Sequence, residues 1–307
     1  EGIYLSGGNN GDAPTVGEIQ TALAGLEQMQ FNLLCLPLLN GWDSTSPADT
    51  ALWDAAVNLA TRRRAMVIVD PASNWQTAAQ ADTAAQSLSA GVRSANAVMY
   101  FPDVRAPDPL QEGRERAFPP CGVVAGIIAR TDGEQGPWKS AAGLDATISG
   151  ARPRIELRDD QVGLLNRLGV NALWNRPLVG SVIWGARTLR GADVLADQWK
   201  YLAVRRTALY LESSLQEGMG WAVFEPNDEP LWSQIRLSVG AFMQQAFRRG
   251  AFLGTAPRAA YQVKCDKSTT TPSDQRRGVV NVLVAFAPLK PAEFVIIRLQ
   301  QLTEQST

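Results

Sequence analysis

The sequence predicts an α/β fold in which a mostly parallel or mixed sheet is covered by helices on both sides. In the first hundred residues, short apolar runs alternate with longer segments in which apolar residues recur at helical spacing. The short runs are apolar on both faces, as in strands that are buried in a parallel sheet. Right-handed crossovers would arrange them as a three-layer sandwich. A chain of 307 residues can bury a sizeable core, and we expect two subdomains, residues 1–150 and 151–307.

The first subdomain is predicted to alternate helices with strands. Each strand is a short apolar run that stops at or just before a proline, and each helix carries an apolar face. The predicted elements are the helix Thr15–Met29, the strand Phe31–Leu36, the helix Ala48–Arg64, the strand Ala65–Val69, the helix Gln76–Ala90, the strand Ala97–Phe101 and the helix Pro119–Thr131.

The second subdomain is predicted to contain two helices that flank a short apolar run. The first helix lies within Arg205–Glu217 and stops at Gly218, and the run Trp221–Glu225 has the length of a buried strand. The helix Leu231–Arg249 has one apolar stripe, with residues at steps of three and four. The later strand-like runs are Tyr261–Asp266, Asn281–Ala287 and Glu293–Leu299, with the polar loop Lys267–Gly278 between the first two.

The composition excludes several classes of function. A net charge of −1 gives no electrostatic reason to expect a nucleic-acid partner, and no run approaches the roughly 20 apolar residues of a membrane helix. The chain has no histidine, so the commonest general base and the commonest metal ligand are missing. Cys35, Cys121 and Cys265 are far apart and lie beside apolar residues, which predicts buried free thiols in a reducing compartment.

Few positions could carry catalysis. Asp70 and Asp103 follow strands, where α/β enzymes place catalytic groups, but Asp-Pro and Pro-Asp are also ordinary turn sequences. Lys139 and Ser140 are adjacent and would not face one another in a regular element. Asp159-Asp160 stands at a predicted helix start, where carboxylates interact favourably with the helix dipole. Without a Walker motif, a zinc spacing or a GxSxG elbow, the sequence predicts a non-enzyme with no cofactor and no metal.

Five long strings of the chain, in the right order, resemble the contractile tail sheath proteins that coat phage tails and the phage-tail-like injection particles of bacteria. The first hundred residues look most like the sheaths of extracellular injection systems. The strings are PPCGVVAGIIARTDGEQGPWKSAAG at 119–143, GSVIWGARTLRG at 180–191, WAVFEPNDEPLW at 221–232, VKCD at 263–266 and APLKPAEFVIIRLQQ at 287–301.

The resemblance implies a first subdomain that is subtilisin-like but inactive, because the chain lacks histidine and a nucleophile elbow. It implies a C-terminal α/β sheath domain that is completed by arms from neighbouring subunits. The implied assembly is a helical homopolymer of stacked hexameric rings, with an inner tube protein, baseplate proteins and tail-terminator proteins as partners. No nucleic acid and no membrane insertion are expected. The implied location is the bacterial cytoplasm during assembly, and then a phage tail or an extracellular particle.

The apolar run near the end of the chain is predicted to be the inter-subunit strand. An apolar strand at a sheet edge would pair with another molecule, and donation to a neighbour's sheet is the productive form of that pairing. The chain starts at Glu1 rather than at methionine, which predicts a longer gene product whose N-terminal arm is absent. The residues of the predicted strand are Glu293, Phe294, Val295, Ile296, Ile297, Arg298 and Leu299.

Three arginines of the Leu231–Arg249 helix, Arg236, Arg248 and Arg249, lie off its apolar stripe. Because sheaths of the family face the tube with such a helix, these side chains are predicted to contact the inner tube through charge pairs. A solvated basic face explains them equally well. The alternative function is a binding module, or an inactive hydrolase-like scaffold, that does not polymerise.

Overall fold

A computed structural model describes residues 14–38 and 41–293 of the chain. In chain order, the regular elements of the first part are α1 (Val16–Gly25), β1 (Leu33–Cys35), α2 (Pro47–Arg62), β2 (Met66–Val69), α3 (Ala78–Gln86), β3 (Ala97–Phe101), β4 (Val104–Asp108), β5 (Arg114–Phe118), α4 (Cys121–Gln135), β6 (Arg152–Pro153), α5 (Asp159–Arg167), β7 (Val170–Arg176) and β8 (Gly180–Trp184). They alternate helices and strands as far as β3, as the sequence predicts, and two unpredicted strands, β4 and β5, then precede the helix α4.

The central sheet has five strands in the order β1-β2-β3-β7-β8. The first four strands run parallel, and β8 returns antiparallel to β7. Every predicted strand of the first subdomain is present, and the prediction of a mostly parallel, mixed sheet is confirmed. The long connection between β3 and β7 contains a small three-stranded sheet, in the order β5-β4-β6, and the helix α4.

Helices cover both faces of the central sheet. Alternate residues of each strand point to opposite faces, so Val67 and Val69 of β2 pack with α1, α2, α3 and α5, whereas Met66 and Ile68 pack with α4 and with the first half of the helix that follows β8. The three-layer arrangement is therefore confirmed. The subtilisin-like relationship stays a prediction.

The central sheet continues past residue 150, where the sequence predicts a boundary between subdomains. The strands β7 and β8 lie at 170–184 and complete the sheet that β1, β2 and β3 begin. A boundary cannot be located from strand spacing alone, because sheet neighbours are set by the crossover and not by distance along the chain. The division into two subdomains remains a prediction.

The second part of the chain is built on one long helix and a β-hairpin. Its elements are α6 (Leu202–Gly218), α7 (Glu229–Arg248), the short α8 (Pro257–Ala260), β9 (Tyr261–Lys264), the short α9 (Pro272–Arg276) and β10 (Leu283–Phe286).

The helix α7 buries the predicted apolar stripe in a separate core. Leu231, Ile235, Val239 and Ala246 are buried there together with Met243, and the inner side chains of β9 and β10 pack against them. The two strands pair antiparallel, from Leu283 opposite Lys264 to Phe286 opposite Tyr261. The loop between them contains α9, which the sequence analysis does not predict.

The run Trp221–Glu225 is not a strand, and this prediction is wrong. Gly220–Ala222 forms a single 3-10 turn, and Phe224 has a left-handed backbone with φ of +72°. Trp221, Val223 and Phe224 are exposed to solvent. A strand needs a neighbouring strand to accept its backbone hydrogen bonds, and this run connects two helices that end at Gly218 and begin at Glu229.

Candidate functional site

The predicted inter-subunit strand begins at Glu293, the last residue that the structure describes. Phe294, Val295, Ile296, Ile297, Arg298 and Leu299 lie outside the described residues. The Glu293 carboxylate accepts hydrogen bonds from Nε of Arg187 at 2.6 Å and from a terminal nitrogen of the same guanidinium at 2.7 Å. The Tyr201 hydroxyl donates to it at 3.2 Å, and Nζ of Lys200 lies 3.5 Å away. The first residue of the predicted strand is therefore bound to the segment that connects β8 to α6.

Arg187 is the centre of this cluster, and its side chain is only 1% exposed. Its second terminal nitrogen donates to the carbonyl of Asn166 at 2.8 Å, to the carbonyl of Gly191 at 3.2 Å and to the Asp193 carboxylate at 2.9 Å. With Glu293, these contacts give all three nitrogens of the buried guanidinium an acceptor. Burial of a charge is tolerated under such conditions, when it is paired and hydrogen-bonded.

The local backbone holds Arg187 in place through Asn171 of β7. The Asn171 amide accepts from the backbone N–H of Arg187 and donates to its carbonyl, both at 2.8 Å, and it also donates to the Met99 carbonyl at 3.1 Å. The loop that follows needs a glycine at Gly191, because an added Cβ there would lie 2.7 Å from the Lys200 carbonyl oxygen. The cluster is thus fixed to the central sheet.

The cluster is close to electrically neutral. Arg187 and Lys200 supply two positive charges, and Asp193 and Glu293 supply two negative charges. Burial by itself would raise the pKa of Glu293. The hydrogen bonds from Arg187 and the positive charges of Arg187 and Lys200 outweigh burial, so the pKa of Glu293 lies below its usual value. Both carboxylates are therefore ionised at neutral pH. Sequence reasoning identified Glu293 as a strand residue and missed its partner, because Arg187 is 106 residues away.

The hairpin of β9 and β10 is a small sheet of two strands. Within residues 14–38 and 41–293, each of these strands pairs with one other strand only. Val284 and Phe286 of β10 pack towards α7, whereas Leu283 and Ala285 are exposed. A two-stranded sheet is marginal without further strands or packing.

The three predicted tube contacts differ in their surroundings. The Arg236 guanidinium is held inside the subunit, where it donates to the Glu229 carboxylate at 2.6 Å and to the Cys265 carbonyl. The Arg249 guanidinium lies 5.2 Å from the ring centre of Trp138, and Arg248 is exposed at the last residue of α7. Arg236 and Arg248 are also roughly 18 Å apart along the helix and rotated by about 120°. The structure does not bring these three side chains into one patch.

Two candidate catalytic positions, Asp70 and Asp103, contact other groups of the fold. Asp103 is paired with Arg154 at 3.2 Å, and Asp70 accepts from the backbone N–H of Cys121 at 2.9 Å. Burial raises the pKa of Asp70 to about 7. In the part of the chain that the structure describes, no three His, Cys, Asp or Glu side chains are grouped to hold a metal ion. Cys35, Cys121 and Cys265 are free thiols.

None of the helices among the described residues is both long enough and apolar enough to cross a membrane. The fold and the Arg187 cluster define a folded subunit whose last described residue, Glu293, is held by Arg187. Comparison with known families identifies the class. Residues 12–189 match the model of the phage tail sheath protein central domain, and residues 196–301 match the model of the phage tail sheath C-terminal domain. The chain belongs to the phage tail sheath family.

Similar sequences come from phages and from a prophage. The chain is 28% identical, over 59% of its length, to the tail sheath protein of Vibrio phage KVP40, and it spans 26% of that relative. It is 25% identical, over 80% of its length, to a putative prophage major tail sheath protein of Pseudomonas aeruginosa, of which it spans 60%. The chain therefore spans less than two thirds of these relatives.

Similar solved structures come from contractile particles. A chain of the anti-feeding prophage baseplate is 27% identical with a TM-score of 0.76, and the match covers 94% of this chain and 74% of the other. A chain of the sheath complex of the extracellular contractile injection system PVC, in its contracted state, is 27% identical with a TM-score of 0.75, and the match covers 92% and 76%.

Proposed function

We propose that this protein polymerises as stacked hexameric rings around an inner tube and contracts to drive the tube through a target envelope. The similarity to contracted sheath chains over more than nine tenths of this chain supports the proposal. Subunits joined head to tail by a rotation and a rise that do not close build a helical tube. The baseplate and a tail terminator would bind the two ends, and neither nucleic acid nor membrane insertion is part of the proposal.

The observation that carries the proposal is a two-stranded sheet in the same chain as an apolar strand sequence. Among the described residues, β9 and β10 each pair with one strand only, and the run Phe294–Leu299 follows directly after Glu293, which Arg187 holds. Donation of such a strand to the sheet of a neighbour would satisfy its backbone groups and link the subunits. An N-terminal arm from another neighbour would complete the same sheet.

Contraction in this proposal is a rigid-body change between two packings of the same folded subunits. The extended state is held kinetically around the tube and baseplate, and the contracted state buries more surface between subunits. A gain on the order of a few kcal/mol per subunit is enough, because about 25 cal/mol is gained for each Å² of apolar surface that is buried. The linked strands would keep the subunits connected throughout.

No catalytic role is proposed, since the family is a structural one and the sequence has no histidine to act as a general base. Arg236, Arg248 and Arg249 are proposed as tube contacts, and of these Arg248 and Arg249 are exposed. Assembly is proposed to take place in the bacterial cytoplasm, and the finished sheath is part of a phage tail or an extracellular particle.

Negative-stain imaging and sedimentation of the purified full-length protein test the proposal. Rings and tubes are the expected result, and the alternative of a non-polymerising binding module or hydrolase-like scaffold predicts monomers at every concentration.

Deletion of residues 294–307 tests the strand exchange. The truncated protein keeps Glu293 and its contacts, and we expect folded subunits that do not polymerise. Deletion of residues 302–307, beyond the predicted strand, is the control and should leave assembly intact. Normal tubes from the longer deletion would rule out strand donation by this segment.

A further inference from the structure

The ion pair between Arg187 and Glu293 joins two distant parts of the chain. Glu293 lies immediately before the apolar run that is predicted to enter a neighbouring subunit, and Arg187 lies just after β8 of the central sheet. The last described residues before it, Pro291 and Ala292, are in no helix or strand. The ion pair at the end of the described chain is therefore made to the segment that follows β8 of the central sheet and not to the hairpin of β9 and β10.

The geometry of the pair suits a contact that resists displacement. Arg187 contacts the two carboxylate oxygens of Glu293 with two different nitrogens, at 2.6 and 2.7 Å, so that both position and orientation are fixed. The third nitrogen is held by Asn166, Gly191 and Asp193. A lysine at this position could not make the same set of contacts, because its single ammonium lacks the planar fork.

Among the described residues, Arg187 has the most buried side chain of the ion-paired arginines: it is 1% exposed, against 8% for Arg206 and 58% for Arg62. Loss of Glu293 would leave a buried guanidinium without one of its two carboxylate partners, which is strongly unfavourable.

We propose that Arg187 is the anchor of the donated C-terminal segment, so that a pull on this segment from a neighbouring subunit is transmitted through Glu293 to the central sheet. The proposal rests on the proposed sheath function. Lys200 and Tyr201 support the anchor by their contacts with the Glu293 carboxylate, and Asn171 supports it by holding the backbone of Arg187.

The test compares Glu293→Gln with Glu115→Gln in the full-length protein. Glu115 lies on the exposed strand β5 and forms an ion pair with Arg152 of β6. Its substitution therefore removes the same charge from a pair at the surface. The first measurement is made on unassembled subunits: thermolysin cleavage within residues 294–299, followed by mass spectrometry. We expect cleavage of the Glu293→Gln protein to be at least fivefold faster than that of the wild type, and no change for Glu115→Gln.

The second measurement is made on assembled sheaths. We expect Glu293→Gln to reduce the pelletable fraction at least fivefold, or to lower the urea concentration at which sheaths dissociate, while Glu115→Gln behaves as wild type. Equal cleavage rates and equal sheath yields for the two variants would overturn the anchor.

A conservative variant covers the case in which Glu293→Gln fails to fold. Glu293→Asp keeps the charge but shortens the side chain, so it cannot reach Arg187 with both oxygens in the same geometry. Faster cleavage and fewer sheaths from the folded Glu293→Asp protein support the anchor, and wild-type behaviour of this variant overturns it. If the wild type itself forms no tubes, the sheath function fails, whereas the cleavage measurement on subunits still decides whether Arg187 holds the segment.

Discussion

Asp70 shows how a single buried carboxyl group links stability to pH. It follows β2 and is nearly inaccessible, with one oxygen accepting from the Cys121 N–H at 2.9 Å and the other without a partner in the described part of the chain. Burial raises its pKa to about 7, and the hydrogen bonds from Cys121 only partly oppose this effect. The folded protein therefore binds a proton between about pH 4 and 7 that the unfolded chain releases.

Stability from this group should be fully present below about pH 4 and should be lost as the pH rises through about 7. Asp70→Asn cannot ionise, so we expect the variant to gain stability relative to wild type between pH 5 and pH 8, by at most about 3 kcal/mol. Urea unfolding at both pH values measures the difference. Asp145→Asn, at an exposed carboxylate, is the control. The prediction would be contradicted if the free energies of unfolding of the wild type and of Asp70→Asn differed by the same amount at both pH values.

At the scale of elements, the run Trp221–Glu225 between α6 and α7 has the composition of a strand but not the conformation of one. Four apolar or aromatic positions in a row are typical of a strand, but the run pairs with no strand in the described part of the chain, and Phe224 is exposed with φ of +72°. The start of α7 is held by Asn227, whose amide accepts from Trp232 Nε1 at 2.9 Å and donates to the Val279 carbonyl at 3.0 Å. Side-chain contacts with a distant loop thus replace the strand pairing that the sequence predicts.

The backbone of Phe224 gives a prediction for this loop. Glycine adopts a positive φ without steric cost, and the exposed ring contributes no burial, so Phe224→Gly should keep the stability of the subunit within about 1 kcal/mol. Phe224→Val should lower it by about 1–2 kcal/mol, because a β-branched side chain is unfavourable at positive φ. Urea unfolding of the two variants makes the comparison. A larger loss for glycine than for valine would show that the ring, and not the backbone, stabilises the loop.

At the scale of the whole molecule, assembly depends on which surfaces remain free. The double reversal Arg248→Glu and Arg249→Glu should abolish polymerisation on the inner tube. The subunit itself should lose only about 1–2 kcal/mol, from the helix C-terminus and from the contact of Arg249 with Trp138. Co-sedimentation with the tube and thermal unfolding measure the two effects separately.

A matched control is available in the same chain. Arg276 and Arg277 end the short helix α9 and precede Gly278, as Arg248 and Arg249 end α7 and precede Gly250. Both pairs are exposed, so their reversal changes the net charge equally. We expect Arg276→Glu with Arg277→Glu to assemble on the tube, and equal loss of assembly in both double variants would indicate a general charge effect instead of a specific contact.

The alternation of apolar runs and periodic segments was sufficient to predict the α/β class, the three-layer arrangement, the long helix α7 and the hairpin strands. Those features depend on local spacing, which the chain carries in its own order. The three-dimensional structure decided that β7 and β8 join the first sheet, that Trp221–Glu225 is a loop, and that Arg236 is bound within its subunit. It also brought Arg187 to Glu293, because a contact between residues 106 positions apart depends on how the layers pack and leaves no periodic signal in the sequence.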